Sequence, residues 1–172
     1  NAQPAGGEKI EMFLETSRLI IRSLQPEDVP ALAQLWTDPT VTLYMGGPRD
    51  LAQVSQSLNA NGRVRPPSEI DLWPTVEKTT CRVVGHCGLL DKEIEGQPEI
   101  ELIYVLAQSV WGQGYASEAA TALSDYAFTR LGLDRLVALI DPANTASQRV
   151  AEKAGFHHEK DTLRSDGKIR HL

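Results

Sequence analysis

The stretch "SVWGQGYASEAATAL", residues 109–123, places Gly112 and Gly114 one residue apart, then Ala116, directly ahead of a run with helical periodicity. Amides in the first turn of a helix have no intrahelical partner and lie at the positive end of the helix dipole, so they attract anions. Side chains this small would let a pyrophosphate reach the amides of residues 112 to 117. A tight turn that needs glycine for its dihedral angles is the competing reading, and an isolated GxG favours it. Two familiar phosphate loops fail on context. No GxxxxGK followed by Ser or Thr is present, and the dinucleotide fingerprint meets Ser117 where it needs glycine or alanine.

Outward from this stretch, the helix carries an apolar row of Ala116, Ala120, Leu123, Ala127 and Leu131, closed by Gly132. "DRLVALID" (134–141) reads as a buried strand, and "NTASQRVAEKAG" as a helix with Thr145 and Gln148 at capping-box spacing and Gly155 at its end. The tail "FHHEKDTLRSDGKIRHL" predicts a strand, an Asp166-Gly167 turn and the beginning of another strand. On the other side, "DLWPTVEK", "CRVVGHCGLL" and "EIELIYVL" form an antiparallel meander, the last two joined through the polar "DKEIEGQP".

Near the start, "SRLIIRSL" (17–24) is a strand. Val29, Leu32, Ala33 and Trp36 make an amphipathic helix after Asp28 that ends at Asp38-Pro39. A second helix begins with Asp50 as cap and an apolar row of Leu51, Val54 and Leu58. "NANGRVRPPSE" (59–69) is loop chemistry and the expected mobile flap. The order βαα-βββ-αβ-α-ββ predicts an α/β (α+β) layer with a mixed, mostly antiparallel sheet.

At 172 residues the chain fits one domain, 1–172, with residues 1–12 expected to be a disordered or non-native start and the final strand incomplete at Leu172. No apolar run approaches the roughly 20 residues that span a bilayer, so no membrane partner is expected. A net charge of −6 argues against nucleic-acid binding. Cys81 and Cys87 in one extended strand would lie about 20 Å apart, beyond disulfide reach, which fits reduced thiols and a cytoplasmic location. Neither cysteine has CxxC spacing, and His157 and His158 point to opposite faces of any strand, so no metal is expected.

The whole pattern resembles the GCN5-related N-acetyltransferases (GNAT), whose acetyl-CoA pyrophosphate loop reads Q/R-x-x-G-x-G/A ahead of a long helix. Gly114 and Ala116 match its last two positions, and Trp111 stands where the general family has Arg or Gln. "WGQGYASEA" is similar to the version in the RimJ/RimL-type branch, the acetyltransferases of ribosomal-protein N-termini and their relatives. "ETSRLIIRSLQPEDVPAL" with "WTDPTVTLYMGG", "EIELIYVL" and "DPANTASQRVAEKAGF" agree with the same branch in the expected order. The resemblance implies a sheet of six to seven strands flanked by about four helices, with a V-shaped splay between the central strands.

It also implies direct transfer of acetyl from acetyl-CoA to a primary amine, a protein N-terminal α-amine or a small-molecule amine. Chemistry narrows the need for a base. A lysine amine costs about 4 kcal/mol to deprotonate at pH 7, an α-amine about 1 kcal/mol. Glu101 matches the position where this branch places a carboxylate near the amine, but Glu99 shares its strand face and stays open as the alternative. By the same resemblance Asn144 would hydrogen-bond pantetheine and Ser147 would meet the thioester sulfur, with Thr145 as the helix cap. Tyr104, Val105 and Leu106 would offer strand backbone to pantetheine in the splayed gap, and Trp111, Gly112, Gln113, Gly114, Tyr115, Ala116 and Ser117 would hold the pyrophosphate. Tyr115 serves packing equally well. Ile103 stands where the family often has the glycine of a strand bulge. A homodimer is compatible with the resemblance. The rival reading is a non-catalytic acyl-CoA-binding or sensor module with the same fold.

Overall fold

The computed structural model describes residues 12–64 and 70–172. Its elements run β1 (Met12–Glu15), β2 (Leu19–Arg22), α1 (Val29–Thr37), α2 (Leu51–Val64), β3 (Leu72–Glu77), β4 (Arg82–Ile94), β5 (Gln97–Leu106), α3 (Tyr115–Thr129), α4 (Thr145–Lys153), β6 (Asp161–Leu163) and β7 (Ile169–His171). The first five strands form one antiparallel sheet in chain order, and β6 pairs with β7 in a separate hairpin. Among the described residues there are therefore seven strands, divided between two sheets.

Helices cover both faces of the larger sheet. Ala119, Ala120, Leu123 and Ala127 of α3 pack on Leu19, Ile21, Trp73, Leu89 and Leu102. Val29, Leu32 and Leu35 of α1 and Leu58 of α2 pack on Val105 from the other side. The alternation of β5 sorts its residues accordingly: Leu102, Tyr104 and Leu106 face α3, while Ile103 and Val105 face α1 and α2. At the start of α1, Asp28 is buried and accepts two hydrogen bonds from Arg22 (2.6 and 2.9 Å) and one from the Gln25 amide (2.8 Å). This bidentate pair locks the end of β2 to the helix.

Four expectations need correction. First, "DKEIEGQP" is not a loop. β4 and β5 continue through it to a two-residue turn at Glu95 (φ 51°) and Gly96 (φ 77°), the left-handed pair that matches strand twist in a tight hairpin. Second, residues 59–64 are helical, the last turns of α2, and residues 65–69 of the expected flap lie outside the described residues. Asp50 does cap α2, its Oδ1 accepting from the Gln53 amide at 2.9 Å, but Leu51 is exposed rather than part of the core row. Third, 134–141 is not a regular strand. It makes one parallel bridge to β5, Glu101 with Val137, and one antiparallel bridge to β7, Ile140 with His171. Its β-branched residues are divided between two sheets, so it forms the seam joining them. Fourth, Cys81 lies in the turn before β4, with φ 56°, while Cys87 is buried within that strand; both are free thiols. Residues 1–11 of the expected non-native start lie outside the described residues, whereas Met12, its last residue, begins β1, a strand that was not expected from the sequence. Among the described residues no helix is long and apolar enough to cross a membrane.

Candidate active site

The seam leaves a gap. Leu102 donates its N–H to the Val137 carbonyl (2.8 Å) and Val137 donates to the Ile100 carbonyl (2.9 Å). Beyond that point the seam turns to β7, where Ile140 and His171 exchange backbone hydrogen bonds (3.0 and 2.8 Å). The splay thus opens past Leu102, along the edge of β5 that carries Tyr104 and Leu106. On its other edge β5 stays in continuous register with β4 from Gln97 to Leu106, with no bulge at Ile103.

Antiparallel pairing fixes which backbone groups face the gap. Ala107 donates to Val84, so bonded pairs fall on odd residues of β5 and Val105 spends its polar groups on β4. Tyr104 faces the gap. The Leu106 carbonyl faces it too but accepts the Trp111 indole N–H at 2.8 Å. Of the three residues expected to offer backbone, Val105 is therefore turned away and Leu106 keeps only its N–H.

Trp111, half-exposed, anchors the glycine loop to the end of β5 through that bond. Gly112 (φ 73°) and Gly114 (φ 82°) both adopt the left-handed conformation, and a Cβ built at Gly112 would meet nothing within 4 Å. Gly114 is the N-cap of α3, whose first intrahelical bond runs from the Glu118 amide to the Gly114 carbonyl (3.0 Å). Tyr115, Ala116 and Ser117 consequently present amides with no carbonyl one turn behind them. Tyr115 itself packs: its ring is buried and its hydroxyl donates to Glu77 at 2.5 Å. Burial and the hydrogen bond to an anionic acceptor both disfavour the phenolate and raise its pKa, the bond being the larger effect.

Arg18 is a residue the sequence reading missed. It reaches from the β1–β2 turn to donate to the Gln113 carbonyl (2.8 Å) and to Glu118 (2.7 Å), and its guanidinium lies 4.3 Å from the Tyr115 ring centroid. A cation is thereby fixed beside the amides of the α3 mouth. Glu118 also accepts from Thr16, Ser17 and the Arg18 amide. Burial alone would raise its pKa, but those bonds outweigh it and hold the carboxyl at about 2. Only the turn "ETSR" preceding an early strand hinted at this contact, and nothing in it pointed to a helix a hundred residues away.

At the foot of the gap stands Glu101, whose backbone bridges Val137. It is buried (7% exposed), with Lys92 Nζ 3.7 Å from Oε2. Burial raises its pKa above the usual carboxylate range, and Lys92, Arg164 and the Leu139 amide pull part of the way back. Glu99, two positions earlier, is instead paired with Arg135 at 3.0 Å.

On α4 the cap differs from expectation. Asn144, not Thr145, is the N-cap, its Oδ1 accepting from the Ser147 amide at 3.1 Å. Gln148 reaches back to the Pro142 carbonyl (2.9 Å) in place of a capping box with Thr145. Asparagine fits both demands because its Oδ1 closes the helix while its Nδ2 remains the donor it can offer a ligand. The Ser147 hydroxyl sits 2.9 Å from the Tyr104 hydroxyl, which also donates to the Ser147 carbonyl. Burial pushes the Tyr104 phenol up to about 12. The structure thus joins β5 and α4 across the gap through Tyr104 and Ser147, a pairing that separate motifs could not reveal.

The family model for the acetyltransferase (GNAT) domain matches residues 18–157. The chain belongs to the GNAT acetyltransferase family. It is 39% identical over 148 residues to the uncharacterized protein YkkB of Bacillus subtilis, covering 86% of each chain. It is 34% identical over 169 residues to the uncharacterized N-acetyltransferase p20 of Bacillus licheniformis, covering 91% of this chain and 90% of that one. Among solved structures, a GNAT-family acetyltransferase from Bacillus anthracis superposes with a TM-score of 0.76 at 27% identity, over 93% of this chain and 94% of that one. The GNAT chain is an N-acetyltransferase with the sheet, helices and central splay of that family.

Proposed function

We infer that this GNAT chain moves the acetyl group of acetyl-CoA directly onto a primary amine, and that Glu101 and Ser147 are its catalytic residues. The observation that carries the reading is the mouth of α3, where two left-handed glycines and Arg18 surround amides that lack helical partners. A diphosphate supplies the charge and acceptors such a mouth requires. Asn144 Nδ2 and the backbone of Tyr104 then serve the pantetheine arm along the gap.

In the reaction the neutral amine nitrogen attacks the thioester carbon, the C–S bond breaks, and CoA leaves as a thiolate. The amine's proton passes to Glu101, directly or through water; the raised pKa makes this carboxylate a better acceptor than an exposed one. Ser147, fixed by Tyr104, meets the departing sulfur. A phenol near 12 does not surrender its proton to a thiolate whose conjugate acid lies near 8.5, so the Tyr104–Ser147 pair stabilises the anion by hydrogen bonding.

Solved structures that share this fold include RimL, a ribosomal L7/L12 α-N-protein acetyltransferase, at 21% identity, and a Vibrio cholerae spermidine N-acetyltransferase in complex with CoA and spermine, at 16%. Those likenesses are of fold alone. We favour a protein N-terminal α-amine or a small monoamine over a polyamine, because Lys92 and Arg164 already act on Glu101 and a second cationic group there would be repelled. The free thiols Cys81 and Cys87 support a cytoplasmic location for the activity.

The test is incubation of the chain with acetyl-CoA and a panel of N-terminal peptides, monoamines and polyamines, following release of CoA thiol. Thiol release that depends on a peptide or monoamine is expected. Thermal stabilisation by CoA with no release from any acceptor would identify a non-catalytic binding module instead, and the absence of both effects would reject the two readings together.

A further inference from the structure

The C-terminal hairpin carries three metal-ligating side chains outside the acetyltransfer site. Asp161 and His171 are direct cross-strand partners in the β6–β7 ladder, so their side chains rise from the same face. His158 lies three residues before Asp161 and turns back onto it. Its Nε2 is 3.0 Å from Asp161 Oδ1, and the His171 Nε2 is 3.6 Å from the same oxygen. The two imidazoles stack with centroids 4.4 Å apart and planes 24° apart, bringing both nitrogens to one side. All three donor atoms fall within 4.8 Å of one another.

We propose that His158, Asp161 and His171 bind one divalent transition-metal ion of the zinc(II) type, with water completing a tetrahedral shell. Ligands held at about 2.1 Å around a tetrahedral ion are about 3.4 Å apart, and the two measured separations to Asp161 bracket that edge. The donor set of two imidazoles and one carboxylate is that of borderline ions rather than of calcium or magnesium, which prefer oxygen alone. The expectation of no metal rests on the adjacent pair His157 and His158. His157 takes no part; His158 finds its partners through the hairpin, a juxtaposition that spacing along the chain does not encode. The β7 strand is bonded through His171 to Ile140 of the seam, so an ion here ties the residues before β6 and both hairpin strands to that seam.

The experiment uses the untagged chain, stripped with a chelator, titrated with zinc chloride against a chromogenic zinc indicator, and melted with and without zinc. One equivalent bound with a Kd on the order of 10 µM and a rise in Tm are expected. H158A, D161N and H171A should each weaken binding by roughly tenfold or more and abolish the Tm rise. H157A and C81S, which alter the other exposed imidazole and the exposed thiol, should leave both unchanged. No binding by the parent chain, or equal binding by a D161N/H171A double variant, would overturn the proposal.

Discussion

Glu99 and Glu101 sit on one face of β5, yet their surroundings separate them. Arg135 neutralises Glu99, whereas Glu101 is buried beside a lysine that lies too far for a tight ion pair. Replacing Glu101 by Gln keeps shape and removes the proton acceptor, so kcat should fall by about 10²-fold with little change in KM for acetyl-CoA. The pH profile adds a sign. Since burial raises this pKa, the acid limb of kcat/KM for the parent lies above the usual carboxylate range, and below it the protonated group cannot act. That limb should vanish in E101Q, leaving only the ionisation of the amine. Unchanged kcat in the variant would remove Glu101 from the chemistry. The sequence narrowed the choice to two glutamates; the ion pair to Arg135 that discriminates between them depends on a side chain from the seam and was illegible.

Among the elements, α4 sets one residue a double test: Asn144 caps the helix and, in the proposed function, donates to pantetheine. Asn144→Ala should cost about 1 kcal/mol of stability, the usual worth of an N-cap, and weaken CoA binding as well. Asn144→Asp keeps the oxygen that accepts from the Ser147 amide but deletes the Nδ2 donor, so Tm should hold while CoA affinity falls. A thermal-shift titration of both variants with CoA separates the cap from the ligand contact. The α3 mouth yields a second test. A Cβ at Gly112 meets no protein atom within 4 Å, so Gly112→Asp should lose about 1 kcal/mol to its positive φ, while its carboxylate repels the diphosphate and weakens CoA binding roughly tenfold or more. Affinity equal to the parent's would contradict the loop assignment. At this scale the helices and their glycine boundaries were readable from periodicity. The α4 cap was not, because Asn144 and Thr145 are both good caps and only backbone geometry chooses, and α2 ran past its expected end because Asn61 and Gly62 are weak rather than forbidden helix residues.

For the molecule as a whole, the β3–β4–β5 meander followed from alternation and short connections, β1 was not expected, and the helices flanking the sheet were implied by the resemblance. The division into two sheets did not follow, because the seam at 134–141 reads as one strand while its bridges go to two partners. What binds α1 to the sheet was equally hidden: His86 of β4 is buried and its Nδ1 accepts the indole N–H of Trp36 at 3.0 Å. Burial depresses its pKa to about 4, against an ordinary value of 6.5. Between those values the unfolded chain binds a proton that the folded chain refuses, so stability falls as pH drops from 6.5 toward 4. Integrated to pH 5, the loss is about 2 kcal/mol. The hydrogen bonds that hold Glu118 down act in the same direction, but its contribution is lost only below its unfolded value of 4.5. The raised pKa of Glu101 acts in the opposite direction in parent and variant alike, so the difference between the two proteins isolates the histidine. Urea unfolding at pH 7.5 and pH 5 should show this loss in the parent and not in H86N, which removes the titrating ring while keeping an acceptor near Trp36. Equal losses in the two proteins would mean that His86 can be protonated without parting α1 from β4.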